Sequence, residues 1–215
     1  MNNLIFITII LFFMYLFYHS YFLTYKENFD KRKQIILLGD SILENSNYVE
    51  KLTENVESNI KKKHPHVLNL AQDHAVINNL TLQMEHLKQK KINKDDIIFV
   101  SVGGNDILNR YRFKKKGKMK DLNLMFEKYA EMILRLKNTA SNQIVLLNIY
   151  APPKVKKYHN IIVLWNKKQK AFASENNIKI LDIHSLVNHE SHFIKNIEPS
   201  HDGGRIIANA IINSI

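Results

Sequence analysis

Residues 34–41 read Gln-Ile-Ile-Leu-Leu-Gly-Asp-Ser, and the fold class follows from this run and its repetition along the chain. A short, unbroken apolar run that ends in glycine is typical of a strand buried on both faces of a parallel sheet. Further runs of this kind lie at residues 67–70, 96–102, 143–148 and 178–181. Between them, apolar residues recur at helical spacing in residues 48–62, 76–90, 121–137 and 160–175. This alternation predicts an α/β domain with a parallel five-stranded sheet covered on both faces, closed by a helix that Ser200 caps.

The first 25 residues contain no Lys, Arg, Asp or Glu, and they differ in composition from the rest of the chain. As a helix, residues 4–25 would be about 33 Å long, enough to cross a hydrocarbon core of about 30 Å. No basic residue precedes the run and no small-residue cleavage pattern follows it, which favours an uncleaved anchor over a cleaved signal peptide. We therefore predict a transmembrane segment at residues 1–25, a basic tether at residues 26–33 and one domain at residues 34–215.

The distribution of charge indicates an orientation in the membrane, and the cysteine content and composition exclude several classes of protein and site. The four basic residues at positions 26 and 31–33 follow the apolar segment, so the positive-inside tendency favours a single-pass protein with a cytoplasmic domain. The alternative orientation places the domain on the exported side of the membrane. The absence of cysteine excludes a disulfide scaffold, a thiolate zinc site and a cysteine nucleophile. The composition, 45% hydrophobic and 24% charged, excludes a disordered chain.

Polar residues follow the first and third predicted strands. Chemistry in open α/β sheets gathers at the carboxyl ends of the strands, and here those ends carry Ser41 and Asn105. A serine there can point its hydroxyl out of the sheet edge, and an asparagine can aim its side-chain N–H₂ group into the same crevice. Taken singly, each motif also fits a helix cap or a turn. Both motifs in one chain, each at a strand end, are much harder to obtain by chance.

In this order, the motifs resemble the blocks of the SGNH/GDSL hydrolase family. Gly39-Asp-Ser-Ile-Leu43 is similar to the first block, and the second, third and last fall at residues 69–75, 102–106 and 198–204. The resemblance covers residues 34–215 and implies a flavodoxin-like three-layer α/β/α sandwich that hydrolyses or transfers acyl esters. It implies that Ser41 is the nucleophile. The oxyanion hole would comprise the Asn105 side chain and the backbone N–H groups of Ser41 and His74.

Two positions depart from the family pattern. His74 stands where the second block has glycine, so its loop has either an ordinary φ or backbone strain. The last block lacks Asp-x-x-His, and alignment on its proline and glycines puts Glu198 at the histidine position and Lys195 at the aspartate position. Three alternatives are therefore open: Glu198 is the base, His201 is the base, or the domain has no base and binds ligand without turnover.

Residues 110–120 contain seven basic side chains in eleven positions and directly follow the third block. We predict a solvated loop over the crevice, with Gly104, Arg110 and Arg112 as candidate substrate-binding residues. Its cations would steer an anionic substrate or rest on anionic lipid. No nucleic-acid module, metal-ligand spacing or cofactor motif is found, so no nucleic acid, metal or cofactor is expected.

The sequence therefore predicts a membrane-anchored ester hydrolase or acyl-transfer enzyme. Its substrate would be a small-molecule, glycan or lipid acyl ester, and neither the acyl group nor the oligomeric state follows from the sequence. Two hypotheses from other classes stand beside this one. The first is a catalytically silent carbohydrate- or lipid-binding domain of the same fold, and the second is a basic adaptor at a membrane surface.

Overall fold

The computed structural model describes residues 10–21, 33–113, 119–140 and 142–215 of the chain. The chain divides into two compact units, Met1–Lys33 and Gln34–Ile215. Residues 10–21 of the first unit form helix α1. Within the described ranges, no helix is long and apolar enough to cross a membrane. The predicted anchor at residues 4–25 and the tether at residues 26–33 fall partly outside those ranges.

A sheet of five parallel strands forms the centre of the second unit. The strands are β1 (Ile35–Gly39), β2 (Val67–Asn69), β3 (Ile97–Ser101), β4 (Gln143–Leu147) and β5 (Lys179–Leu181). Their order is β2-β1-β3-β4-β5, and every neighbouring pair is parallel. Because the order reverses between β1 and β3, a crevice opens beyond the carboxyl ends of these two strands. The predicted five-stranded parallel sheet is confirmed.

Helices cover both faces of this sheet. They are α2 (Val56–Lys61), α3 (Leu80–Lys88), α4 (Gly104–Phe113), α5 (Met119–Thr139), α6 (His159–Glu175), α7 (Ile183–Leu186) and α8 (His201–Ile212). Successive residues of a strand point to opposite faces. Accordingly, Ile36 and Leu38 of β1 pack into one apolar core and Ile35 and Leu37 into a second. The domain is therefore the expected α/β/α sandwich.

The helix predicted at residues 48–62 is shorter in the structure. Two single 3-10 turns, Ser46–Tyr48 and Leu52–Glu54, precede α2. Helix α2 begins only after Asn55, whose side chain accepts a hydrogen bond from the Ser58 N–H at 2.7 Å. The predicted cap of the last helix is confirmed, since the Ser200 hydroxyl accepts a hydrogen bond from the Gly203 N–H at 3.3 Å.

Two further differences lie close to the crevice. The prediction of a loop over residues 110–120 is wrong at both ends, because residues 110–113 complete α4 and residues 119–120 begin α5. Residues 114–118 lie outside the described ranges. A small antiparallel hairpin, β6 (Phe193–Ile194) with β7 (Glu198–Pro199), was not predicted, because strands of two residues leave no periodic signal.

Candidate active site

The turn after β1 places Ser41 at the carboxyl edge of the sheet. Gly39 has a φ of 128°, and a Cβ added there would lie 1.7 Å from the Ser101 carbonyl oxygen of β3. Only glycine fits this position. The fully buried Gln83 of α3 accepts a hydrogen bond from the Gly39 N–H at 2.7 Å and donates one to the Gly39 carbonyl at 2.8 Å. Ser41 is consequently held by a rigid turn and is only 6% exposed.

The turn after β3 places Asn105 on the opposite side of the crevice. Gly103 has a φ of 115°, and a Cβ there would come within 2.5 Å of the Trp165 ring. Asn105 follows in the first turn of α4 and donates a hydrogen bond from Nδ2 to the Ala75 carbonyl at 3.0 Å. Because an amide nitrogen carries two hydrogens, the second N–H stays available for a ligand. The bond also fixes α4 to the loop that carries His74.

His74 has a φ of 60°, so its loop adopts the strained conformation and not the ordinary one. Its imidazole is 78% exposed, with Nε2 3.6 Å from Oδ2 of Asp73, and what the site can use is therefore the backbone N–H. Among the described residues, neither this N–H nor that of Ser41 has a backbone hydrogen-bond acceptor. Both groups can therefore donate to a bound oxyanion.

The hairpin of β6 and β7 places Glu198 beside Ser41. Glu198 is 6% exposed and lines the same cavity as Ser41. Burial raises the pKa of Glu198, and the nearby Ser41 hydroxyl partly opposes that rise. The buried Asn45 positions this strand, because it donates to the Pro199 carbonyl at 3.2 Å and accepts from the Val56 N–H at 2.8 Å. Sequence reasoning gave Asn45 no role.

The remaining candidate residues differ in their position relative to the cavity at Ser41. His201 is the first residue of α8, and its imidazole is 48% exposed with Nδ1 3.9 Å from Oδ1 of Asp202. It does not line the cavity at Ser41. Gly104 does line that cavity, whereas the structure describes only the backbone of Arg110 and Arg112, in α4. Within the described part of the chain, no group of three acidic or histidine side chains is placed to hold a metal ion.

A cavity of about 50 Å³ opens beside Ser41. Asp40, Ser41, Asn105 and Glu198 contribute polar groups to its lining. Apolar side chains from α4, α6 and the segment after β4 form much of the remaining wall, among them Ile107, Leu108, Ile149, Val155, Tyr158 and Ile162. The arrangement provides a hydroxyl, a carboxylate and hydrogen-bond donors next to a small apolar space.

Asp40, which precedes the serine, is a buried acid, and the sequence motifs assigned it no role. Burial, together with the negative charges of Glu198 and Asp106, raises its pKa to about 8. Hydrogen bonds from the Ile42 N–H at 3.2 Å and the Ser101 hydroxyl at 3.4 Å act in the opposite direction. At neutral pH, Asp40 is therefore mostly a neutral carboxyl group beside the predicted nucleophile.

Solved structures share this architecture. A lipolytic protein of the G-D-S-L family from Veillonella parvula is 19% identical, with 84% of this chain and 97% of that one covered and a TM-score of 0.68. An acetyl xylan esterase is 15% identical, with 85% and 99% covered and a TM-score of 0.67. A variant of an acetyl xylan esterase from Geobacillus stearothermophilus is 16% identical, with 85% and 94% covered and a TM-score of 0.63. At these identities the likeness shows the fold alone.

Two comparisons of sequence complete the assignment. No curated protein matches the chain significantly. The family model of the GDSL-like lipases and acylhydrolases matches residues 35–211, from the first residue of β1 into the last turn of α8. Because the match covers most of the chain, this protein belongs to the GDSL-like lipase/acylhydrolase family, which confirms the prediction of an ester-hydrolysing enzyme.

Proposed function

We propose that the protein is a membrane-anchored serine ester hydrolase or acyl-transfer enzyme in which Glu198 is the base for Ser41. The observation that carries the proposal is the buried Glu198 carboxylate in the cavity that Ser41 lines, where the Ser41 hydroxyl acts on the pKa of Glu198. A general base has to lie within hydrogen-bond reach of the proton that it removes. Glu198 lines the same cavity as Ser41, whereas the exposed His201 does not.

Burial makes a carboxylate more useful as a base. A glutamate with an ordinary pKa near 4.3 binds a proton too weakly to assist an attacking hydroxyl near neutral pH. Desolvation disfavours the charged form, so the raised pKa of Glu198 means a stronger affinity for the proton. The nearly complete burial of Glu198 therefore supports a catalytic role in place of histidine.

In the first half of the reaction, Glu198 accepts the Ser41 proton while Oγ attacks the carbonyl carbon of the ester. The C=O electron pair moves onto oxygen, and that oxyanion receives hydrogen bonds from Asn105 and from the backbone N–H groups of Ser41 and His74. One such preorganised donor typically contributes about 3 kcal/mol to transition-state stability. Glu198 then donates its proton to the departing alcohol, which leaves the acyl group on Ser41.

In the second half, Glu198 removes a proton from a water molecule or from an acceptor alcohol, which attacks the acyl-serine. The bond between the acyl carbon and Ser41 Oγ then breaks, and Glu198 returns the proton to Oγ. Water gives hydrolysis, and an alcohol gives acyl transfer. The apolar wall that Ile107, Val155 and Tyr158 contribute faces the acyl side of this intermediate. With about 50 Å³ beside Ser41, we propose an ester of a small acyl group. Esterases of acetyl xylan among the structural neighbours are consistent with this size.

The carrier of the acyl group would lie outside the cavity. Gly104 at its edge and the arginines at positions 110 and 112 of α4 are the proposed contacts for a small-molecule, glycan or lipid carrier. Residues 4–25 would anchor the domain to the membrane, on its cytoplasmic side. Protease protection of the full chain in sealed vesicles tests the orientation, and alkaline extraction tests the anchoring.

Covalent labelling of the full chain by a fluorophosphonate probe tests the nucleophile and the base. We expect rapid labelling that Ser41→Ala abolishes without lowering the melting temperature. Glu198→Gln should slow labelling by about 10²- to 10⁴-fold, the size of a general-base contribution. His201→Ala is the matched control and should label like the wild type. A folded wild-type protein that does not label would indicate the silent binding domain, and equal loss in Glu198→Gln and His201→Ala would contradict the assignment of the base.

A further inference from the structure

We propose that Lys195 and Asp73 are positioning residues of opposite charge that together set the basicity of Glu198. The turn between β6 and β7 would thereby adjust the base without contacting the substrate. This inference rests on the proposed function, since it assumes that Glu198 takes the Ser41 proton.

The turn between β6 and β7 places a lysine in an unfavourable backbone conformation. Lys195 and Asn196 have φ values of 49° and 71°, and the Ile197 N–H donates a hydrogen bond to the Ile194 carbonyl at 3.3 Å. Two consecutive residues at positive φ make a type I′ turn, in which asparagine and glycine are preferred and lysine is not. Backbone strain of this kind clusters at functional sites. A lysine at this position therefore needs a reason other than the turn itself.

The contacts of the Lys195 side chain supply that reason. Its ammonium nitrogen lies 4.9 Å from the centre of the Tyr48 ring, within the range of a cation–π interaction. The ring is buried, and the Tyr48 hydroxyl donates to the two carboxylate oxygens of Asp73 at 2.9 and 2.8 Å. Tyr48 therefore fixes a cation over its face and an anion at its hydroxyl.

The turn that carries Lys195 adjoins Glu198, because Ile194 pairs with Glu198 across the hairpin. Both charges act on Glu198, in opposite directions. The charge of Asp73 raises the pKa of Glu198, and the charge of Lys195 lowers it. The charge of Asp73 thus makes Glu198 a stronger base, and the charge of Lys195 favours its ionised form. Among the described residues, Glu198 interacts electrostatically with further titratable groups: Asp40, Tyr48, Asp73, His74, Tyr150 and Lys195.

The pH dependence of kcat/KM separates the two effects, because its acid limb reports the base of the free enzyme. With p-nitrophenyl acetate as probe and the full chain as enzyme, we expect Lys195→Met to move the acid limb to higher pH. Asp73→Asn should move it to lower pH, since its amide oxygen can still accept the Tyr48 proton. At a pH on the acid limb, each change in kcat/KM should be about twofold to fivefold, as for a screened, partly exposed charge.

Three further variants control the measurement. Lys195→Gly removes the same charge and suits the turn better than lysine, so it should fold and move the limb in the same direction as Lys195→Met. Lys195→Arg keeps the charge and should restore the wild-type profile. Lys154 and Lys195 line one surface groove, but Lys154 forms an ion pair with Glu190 at 3.5 Å. Lys154→Met should therefore leave the acid limb of the pH profile unmoved.

A direct titration of the Glu198 carboxyl by ¹³C NMR, assigned with Glu198→Gln, distinguishes the two possible failures. If wild-type Ser41 labels but the Glu198 titration is the same in Lys195→Gly and Asp73→Asn, the inference is wrong and the proposed function stands. A shift in the same direction for both variants, or an equal shift in Lys154→Met, also overturns it. If Glu198→Gln labels at the wild-type rate, the proposed function itself has failed.

Discussion

Asp40 should make the domain lose stability as the pH rises from about 4 to about 8. The residue is 2% exposed, and burial raises its pKa from 3.8 to about 8. Between those values, the unfolded chain has released the Asp40 proton while the folded chain still holds it. Because the unfolded state then binds fewer protons, the free energy of unfolding falls by about 1.4 kcal/mol per pH unit. The favourable contribution is complete below pH 4 and lost by about pH 8.

Asp40→Asn removes this titration while it preserves the shape of the side chain. The amide oxygen can still accept hydrogen bonds from the Ile42 N–H and the Ser101 hydroxyl, which Oδ1 accepts in the wild type. From pH 5 to pH 7, the stability of the variant relative to the wild type should therefore rise by about 3 kcal/mol. For a domain of this size, the difference in melting temperature should change by about 5–10 °C in favour of the variant.

Urea and thermal unfolding of the full chain at pH 5, 6 and 7, at constant ionic strength, measure this difference. Other groups, including Asp106 with its burial-raised pKa of about 6, affect both proteins and largely cancel in the comparison. Asp95→Asn at an exposed position is the matched control, and its difference from the wild type should stay constant with pH. A constant difference for Asp40→Asn as well, or one that moves in favour of the wild type, would refute the reasoning.

Three shorter predictions concern the walls of the crevice. His74→Gly should raise the free energy of unfolding by about 0.5 kcal/mol in chemical denaturation, because glycine adopts a φ of 60° without the steric cost of a Cβ. The variant should keep esterase activity, since the backbone N–H is retained. Gly39→Ala should destabilise the domain by more than about 3 kcal/mol in the same assay, since its Cβ would collide with the Ser101 carbonyl. Asn105→Ala should lower kcat by about 10²- to 10³-fold with little change in KM, and a change in KM alone would contradict a role at the oxyanion.

Hydrophobic patterning was sufficient to predict the five strands of the main sheet. A strand buried on both faces needs an unbroken apolar run, and β1 and β3 consist of such runs. Patterning failed for α4, because the seven basic residues at positions 110–120 indicated a solvated loop although the first four of these positions are helical. It also failed for β6 and β7, which are fixed by pairing with each other and by the hydrogen bond from Asn45 to Pro199.

The candidate site divides in the same way. Ser41 and Asn105 could be predicted to share a crevice, because the carboxyl ends of parallel strands meet at one edge of the sheet. Glu198 and His201 could not be distinguished, since they are three residues apart at the boundary between a strand and a helix. The hairpin turns Glu198 inward, and the cap of α8 leaves His201 exposed.

The amino-acid sequence by itself thus determined the fold class, the family and the positions of the predicted nucleophile and oxyanion donor, because these depend on local patterns and motif order. Only the tertiary structure decided that Asp40 holds its proton at neutral pH, that His74 has a positive φ and that Glu198 is buried against Ser41. Each of these depends on groups brought together from distant parts of the chain. Desolvation and packing act through such neighbours, so no local pattern in the sequence could record them.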